Sequence, residues 1–194
     1  MTNNPLIGLE GLPPFSEIKP EHIVPALKQG IAACRKKIDE VLENSTYTWN
    51  NFIAPLEAVD DQLSRLWSPV SHMHSVVNSE ELRAAYDECL PLISEYSTYV
   101  GQHQGLYKAY QAIQDSEDFN ALSIAQQKVI TNTLRDFKLS GISLSEDKQV
   151  RYAQISTKLS ELAAKFGNNV MDATRAWQKH ITDKTVLAGL PESA

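Results

Sequence analysis

The sequence predicts an all-α protein, an irregular bundle of long antiparallel helices, and three observations carry that prediction. Apolar residues recur at steps of three and four through most of the 194 residues, the spacing that lines one face of a 3.6-residue helix. Ser and Thr stand just ahead of several apolar runs, where helix caps belong. No alternation of strand-like and helix-like runs occurs, so no parallel sheet is expected. A repeat of fixed period is also missing, which argues against a regular solenoid.

Residues 1–19 carry the breakers Gly8, Gly11, Pro13 and Pro14 and should be irregular. Leu6, Ile7, Leu9, Leu12, Phe15 and Ile18 are too apolar for a solvated tail, so this arm is expected to lie across the helices. Pro20 suits the first position of a helix whose face is Ile23, Leu27, Ile31, Cys34, Ile38 and Val41, ending near Asn44. Thr48 caps a second helix from Trp49 to about Asn78, with Leu56, Val59, Leu63, Leu66 and Val70 in its stripe. Pro69 is expected to kink it. Asn78-Ser79 is a break and a cap, and a third helix follows from Glu80 with Leu82, Tyr86, Cys89, Ile93, Tyr96 and Val100 facing inward. Pro91 is expected to bend that one.

Gly101 and Gly105 mark a short break or a close helix approach, and Leu106 to Ile113 resume as helix. Asp115 to Asn120 reads as a polar loop. Ser123 caps a helix carrying Ile130, Leu134 and Phe137, and Gly141 separates it from the most regular helix in the chain. There Tyr152, Ile155, Leu159, Leu162, Phe166 and Val170 share one face, with Arg151, Lys158 and Glu161 on flanks that can stay wet. Ser143 and Glu146 have capping-box spacing, and Asp147 adds negative charge near the positive helix end. So long a stripe needs cover, which the other helices are expected to supply.

After Trp177 the pattern changes. His180 to Asp183 reads as a short strand, and Gly189 to Glu192 as a turn announcing another helix. The sequence stops at Ala194 just as that helix is announced, so a cut or proteolytic end is expected. The organisation expected is an irregular arm over 1–19, a helical domain over 20–177, and over 178–194 a connection into a further C-terminal part.

Hydrophobic residues at 42% and charged residues at 22% suit an ordinary globular domain, and 194 residues can bury about 70% of their unfolded surface. The net charge of −6 is spread along the chain, and Arg35-Lys36-Lys37 is too short a basic run for a nucleic-acid surface. Cys34 and Cys89 are too few and too far apart for a disulfide framework or a zinc ribbon, and are expected as buried thiols in a reducing compartment. The N-terminal residues lack a positive segment followed by an apolar one, and no run is long enough for a membrane span. A cytoplasmic protein is expected, with no membrane and no nucleic-acid partner.

A zinc peptidase helix needs two histidines one turn apart, with a glutamate after the first. None of His22, His72, His74, His103 and His180 is followed by glutamate. His72 and His74 would point about 200° apart on a helix. His74 is expected as a hydrogen-bonded core histidine. His103 falls in step with Tyr96, Val100, Tyr107 and Tyr110, a row that either packs between helices or lines a peptide-binding surface. Ser143 in Gly141-Ile142-Ser143 lacks the strand and second glycine of a nucleophile elbow and is read as a helix cap. Asp60-Asp61 and Glu80-Glu81 read as solvated helix faces. Residues of the chain are therefore assigned neither to catalysis nor to a metal, and the substrate-binding residues stay unassigned.

Four stretches carry a resemblance: Leu9 to Pro25, Trp67 to Ser75, Leu92 to Tyr110, and Leu134 to Asp172. Together, and in this order, they resemble the N-terminal region of the thimet-oligopeptidase family of zinc metallopeptidases. The resemblance implies a parent enzyme that is almost wholly helical, with two lobes around a narrow channel admitting short unfolded peptides. It also implies one zinc ion, held by a His-Glu-x-x-His helix and a further glutamate, with the motif glutamate as general base. None of that motif lies between Met1 and Ala194. The region would then form part of one lobe and of the channel wall, inactive alone, with short peptides and the missing catalytic part as its partners. The alternative is a free-standing helical module that binds a protein or peptide without catalysis.

Overall fold

The computed structural model describes residues 4–191, and all regular structure among them is helical. Six α-helices are present: α1 (Pro20–Leu42), α2 (Ala54–Val76), α3 (Glu80–Gly101), α4 (Gln104–Gln114), α5 (Ile124–Leu139) and α6 (Glu146–Ala176). Contacts divide the chain into two compact units, residues 1–161 and 162–194.

The helix starts follow from local chemistry. Pro20 opens α1, and the His22 imidazole accepts a hydrogen bond from the Lys19 N–H at 3.2 Å, satisfying a donor no helix carbonyl can reach. Thr48 and Asn51 form a reciprocal pair, the Thr48 hydroxyl accepting from the Asn51 N–H and the Asn51 side chain from the Thr48 N–H. The turn they cap, Trp49–Ile53, is π-helical and passes into α2. Ser79 accepts from the Leu82 N–H, and Ser123 pairs reciprocally with Gln126.

α1 is the organising element of the first unit because it serves two cores. Its C-terminal half, with Ile38 and Val41, packs with Phe52, Ile53, Leu106, Tyr110, Ile113, Ile130, Leu134 and Phe137. Its N-terminal half, with Ile23, Ala26 and Leu27, packs with Leu66, Val70, Leu82 and Cys89. The irregular arm closes this second core through Leu6 and Ile18, which are 1% and 5% exposed. Each such fully buried side chain contributes about 1.5–3 kcal/mol of apolar transfer, which is what holds a breaker-rich arm against the helices.

Several expectations fail in detail. The polar loop after α4 contains a 3-10 turn, Glu117–Ala121. Ser143 does not cap α6, which begins at Glu146. Gly141, at φ +83°, starts a turn closed by the Leu144 N–H on the Gly141 carbonyl at 3.0 Å, and this turn displaces the helix start. Residues 177–183 form no strand; the Asp183 carboxylate instead accepts from the Thr185 N–H and starts the 3-10 turn Lys184–Leu187. The turn expected at Gly189 to Glu192 is present at Gly189, φ +97°, while Glu192 lies outside the described residues.

The largest departure concerns α6. Its apolar stripe is not covered: Ile155, Leu159, Leu162, Phe166 and Val170 are all 44–71% exposed, and no residue of the helix is buried. Within the first unit α6 is turned the other way. Thr157 shares a hydrogen bond with Ser94 of α3 at 3.4 Å, and Gln149 donates to the Gly141 and Ile142 carbonyls. The side facing the bundle is the small, polar one.

Candidate functional site

The five histidines of the sequence serve separate ends. His22 and His103 cap α1 and α4, the latter with Nδ1 accepting from the Leu106 N–H at 3.2 Å. His72 is exposed beside Phe15, and His180 lies exposed in the second unit. His74 is half-buried with its ring stacked on Tyr86 at 3.9 Å, and Tyr86 in turn stacks on Trp67. Among the described residues no group of three or more His, Cys, Asp or Glu could hold a metal ion. The described residues therefore offer no donor set that fits a catalytic zinc.

The row from Tyr96 to Tyr110 is split: Tyr96, Val100 and Tyr110 line one crevice between helices, and His103 and Tyr107 do not. α3 stops at Gly101 and α4 begins at Gln104, so the helical step does not carry across the break. Tyr96 stays on α3 and donates its hydroxyl to Asp60 Oδ1 at 3.2 Å. Tyr107 packs edge-on to Phe137, and Tyr110 is buried between Phe52 and Phe137. His103, at the break, meets Tyr99 edge-on.

Polar groups converge in one crevice that the sequence reading missed. Five helices line a space of about 140 Å³: Cys34 from α1, Glu57 and Asp60 from α2, Tyr96 from α3, Tyr110 from α4 and Thr133 from α5. Asp60 stands at the edge of the α2 apolar stripe, one turn beyond Leu56, and is exposed like Asp61, as expected of a solvated helix face, with its carboxylate reaching the rim of the crevice. Desolvation dominates here. Burial raises the Asp60 carboxyl above the usual carboxylate range against the lowering effect of the Tyr96 hydroxyl. Burial also raises Glu57, with the Asp60 charge adding to it. The Cys34 thiol, 3.7 Å from the Val59 carbonyl, is pushed up to about 11 by burial, and burial raises both tyrosines. Every shift favours the neutral form, so the Cys34 thiol is a poor nucleophile. The crevice links five helices through these groups.

A second, wider concavity of about 920 Å³ lies between the loop before α2 and the ends of α4 and α5, with Tyr47, Trp49 and Leu122 as its apolar wall. Asp118 and Gln126 stand on its polar side.

A sequence model of the neurolysin/thimet oligopeptidase N-terminal domain matches residues 27–149. Oligopeptidase A of Haemophilus influenzae is 59% identical over 192 residues, covering 99% of this chain and 28% of that protein. Oligopeptidase A of Escherichia coli is 54% identical over 98% of the chain and 28% of its own length. A probable cytosolic oligopeptidase A of Arabidopsis thaliana is 34% identical over the whole chain and again 28% of its length. The chain thus spans little more than a quarter of these relatives. It belongs to the neurolysin/thimet oligopeptidase family, as the N-terminal region of an oligopeptidase of the oligopeptidase A kind.

Proposed function

We propose that this chain is the non-catalytic N-terminal part of a longer, zinc-dependent oligopeptidase that hydrolyses short unfolded peptides. The observation that carries the reading is the coverage: relatives named oligopeptidase A match nearly all of this chain with 28% of their length. In this reading residues 178–194 lead into the catalytic part, and the helical unit forms part of the channel lobe and limits which peptides enter. The zinc and its ligands belong to the part that follows. Its compartment is the cytoplasm, in keeping with two unpaired, buried cysteines; no described helix is long and apolar enough to cross a membrane.

The test is to read the coding sequence beyond codon 194 and to assay both chains. A frame encoding His-Glu-x-x-His, and a long protein that cleaves a quenched fluorescent peptide, is the expected result. The 194-residue chain should retain no stoichiometric zinc after dialysis and cleave nothing. Zinc retained with cleavage by the short chain, or a long protein without peptidase activity, would overturn the reading. A stop codon after Ala194 would favour a free-standing binding module, with the Tyr47 and Trp49 concavity as the first place to look.

A further inference from the structure

We propose that the outward face of α6 is the seat of the polypeptide that follows residue 194, so that α6 is a two-sided helix joining the two parts of the longer protein. The inference rests on the reading of the chain as part of a longer oligopeptidase.

The first argument is orientation. Ile155, Leu159, Leu162, Phe166 and Val170 fall within about 80° of arc on a 3.6-residue helix, and all are exposed. Of the residues that approach the bundle, Ala153 and Thr157 lie on the opposite side and Gln149 lies between the two faces. A helix inserted only into this bundle would bury its apolar side, as α1 and α5 do. Here the apolar side is the one left over. Five large side chains in one row make a contiguous apolar patch of the kind that marks an interface.

The second argument concerns the occupant. The matched domain is N-terminal, and the relatives continue for nearly three-quarters of their length beyond what this chain covers. That missing length is the nearest source of apolar surface, present in the same molecule at high effective concentration. A second copy of the chain is a poorer occupant. Arg151, Lys158 and Lys165 follow one another at seven-residue steps along one flank of the stripe. Antiparallel two-fold pairing of two α6 helices about the middle of that flank would set Lys158 against Lys165 twice, although Arg151 would meet Asp172 at either end. On the other flank Ser156, Ala163 and Gly167 are small enough to admit a closely packed helix.

The background for a thiol-labelling test is favourable, because Cys34 and Cys89 are both 0% exposed. Leu159→Cys and Phe166→Cys are made singly, in the 194-residue chain and in the long protein, and maleimide labelling rates are compared. The expected result is fast labelling in the short chain and labelling slowed about tenfold or more in the long protein. Amide hydrogen exchange over residues 150–170 of the unsubstituted proteins gives the same comparison without a variant and should show the same protection. Equal rates in both proteins would overturn the inference, as would protection in the short chain that grows with its concentration, the sign of a second copy. Peptidase assays on the same long protein keep the two ideas apart. Activity with no protection sinks this inference alone, and protection with no activity sinks the peptidase reading while leaving α6 as a seam.

Discussion

At the scale of single residues, Asp60 is where charge and packing conflict most directly. Its carboxyl accepts from Tyr96 yet has its pKa raised, because desolvation outweighs the hydrogen bond. Between the unfolded and the raised folded value the folded chain binds more protons. Stability therefore falls as pH rises through that window and stays lower above it. Glu57, also raised, adds in the same direction. Asp60→Asn keeps an acceptor for Tyr96 and removes the charge. It should raise the Tm at pH 7 by about 1–3 °C, a modest gain because the site is partly open to solvent. The gain should vanish below the ordinary carboxylate range, where the native carboxyl is already neutral. Thermal melts at pH 7 and pH 3.5 measure this, and a variant less stable at pH 7 would refute it.

At the scale of elements, the close approach between α3 and the end of α5 sets the next prediction. A Cβ on Gly101 would lie 2.6 Å from Ser140 Cβ. Ser140 cannot move away freely: its N–H donates to the Asp136 carbonyl, and its own carbonyl accepts from Gln102. Gly101→Ala should cost about 1–3 kcal/mol through overpacking. Gly101→Ala with Ser140→Gly should recover most of that loss in urea denaturation. A single variant as stable as the parent would show that the contact gives way. Of the two readings of Gly101 and Gly105 open in the sequence, the structure realises both, a break and a tight approach. Helix starts at Pro20, Thr48, Ser79 and Ser123 were legible because capping is local chemistry. The His103 cap was not, since imidazole is an uncommon cap and a tyrosine row suggested a continuous helix. The α6 stripe was legible as apolar, but periodicity says only that a face needs cover. It does not say which part of the molecule supplies it, and here the bundle does not. The Asp60 crevice depends on five helices meeting, which no local pattern records.

At the scale of the whole molecule, burial is confined to the first unit. Among the described residues the last buried hydrophobic one is Ile142, and none beyond it reaches the interior. Conformational entropy still opposes ordering the following helix, at about 1–2 kcal/mol per residue for the backbone alone. With no buried side chain to offset it, the second unit has little to contribute to cooperative unfolding of the first. A chain ending at residue 161 should therefore melt within about 2 °C of the 194-residue chain, since a shift that small corresponds to less than 1 kcal/mol. Its helical circular dichroism should fall in proportion to the residues removed, while the transition keeps its sharpness. In the long protein the same segment should behave differently. If α6 is a seam, loading its outward face ties it to the next part, and substituting Phe166→Glu should lower the melting point there by several degrees while leaving the 194-residue chain unaffected. Equal effects of that substitution in both proteins would mean that the face is already satisfied within residues 1–194, and the seam would have to be sought on another helix.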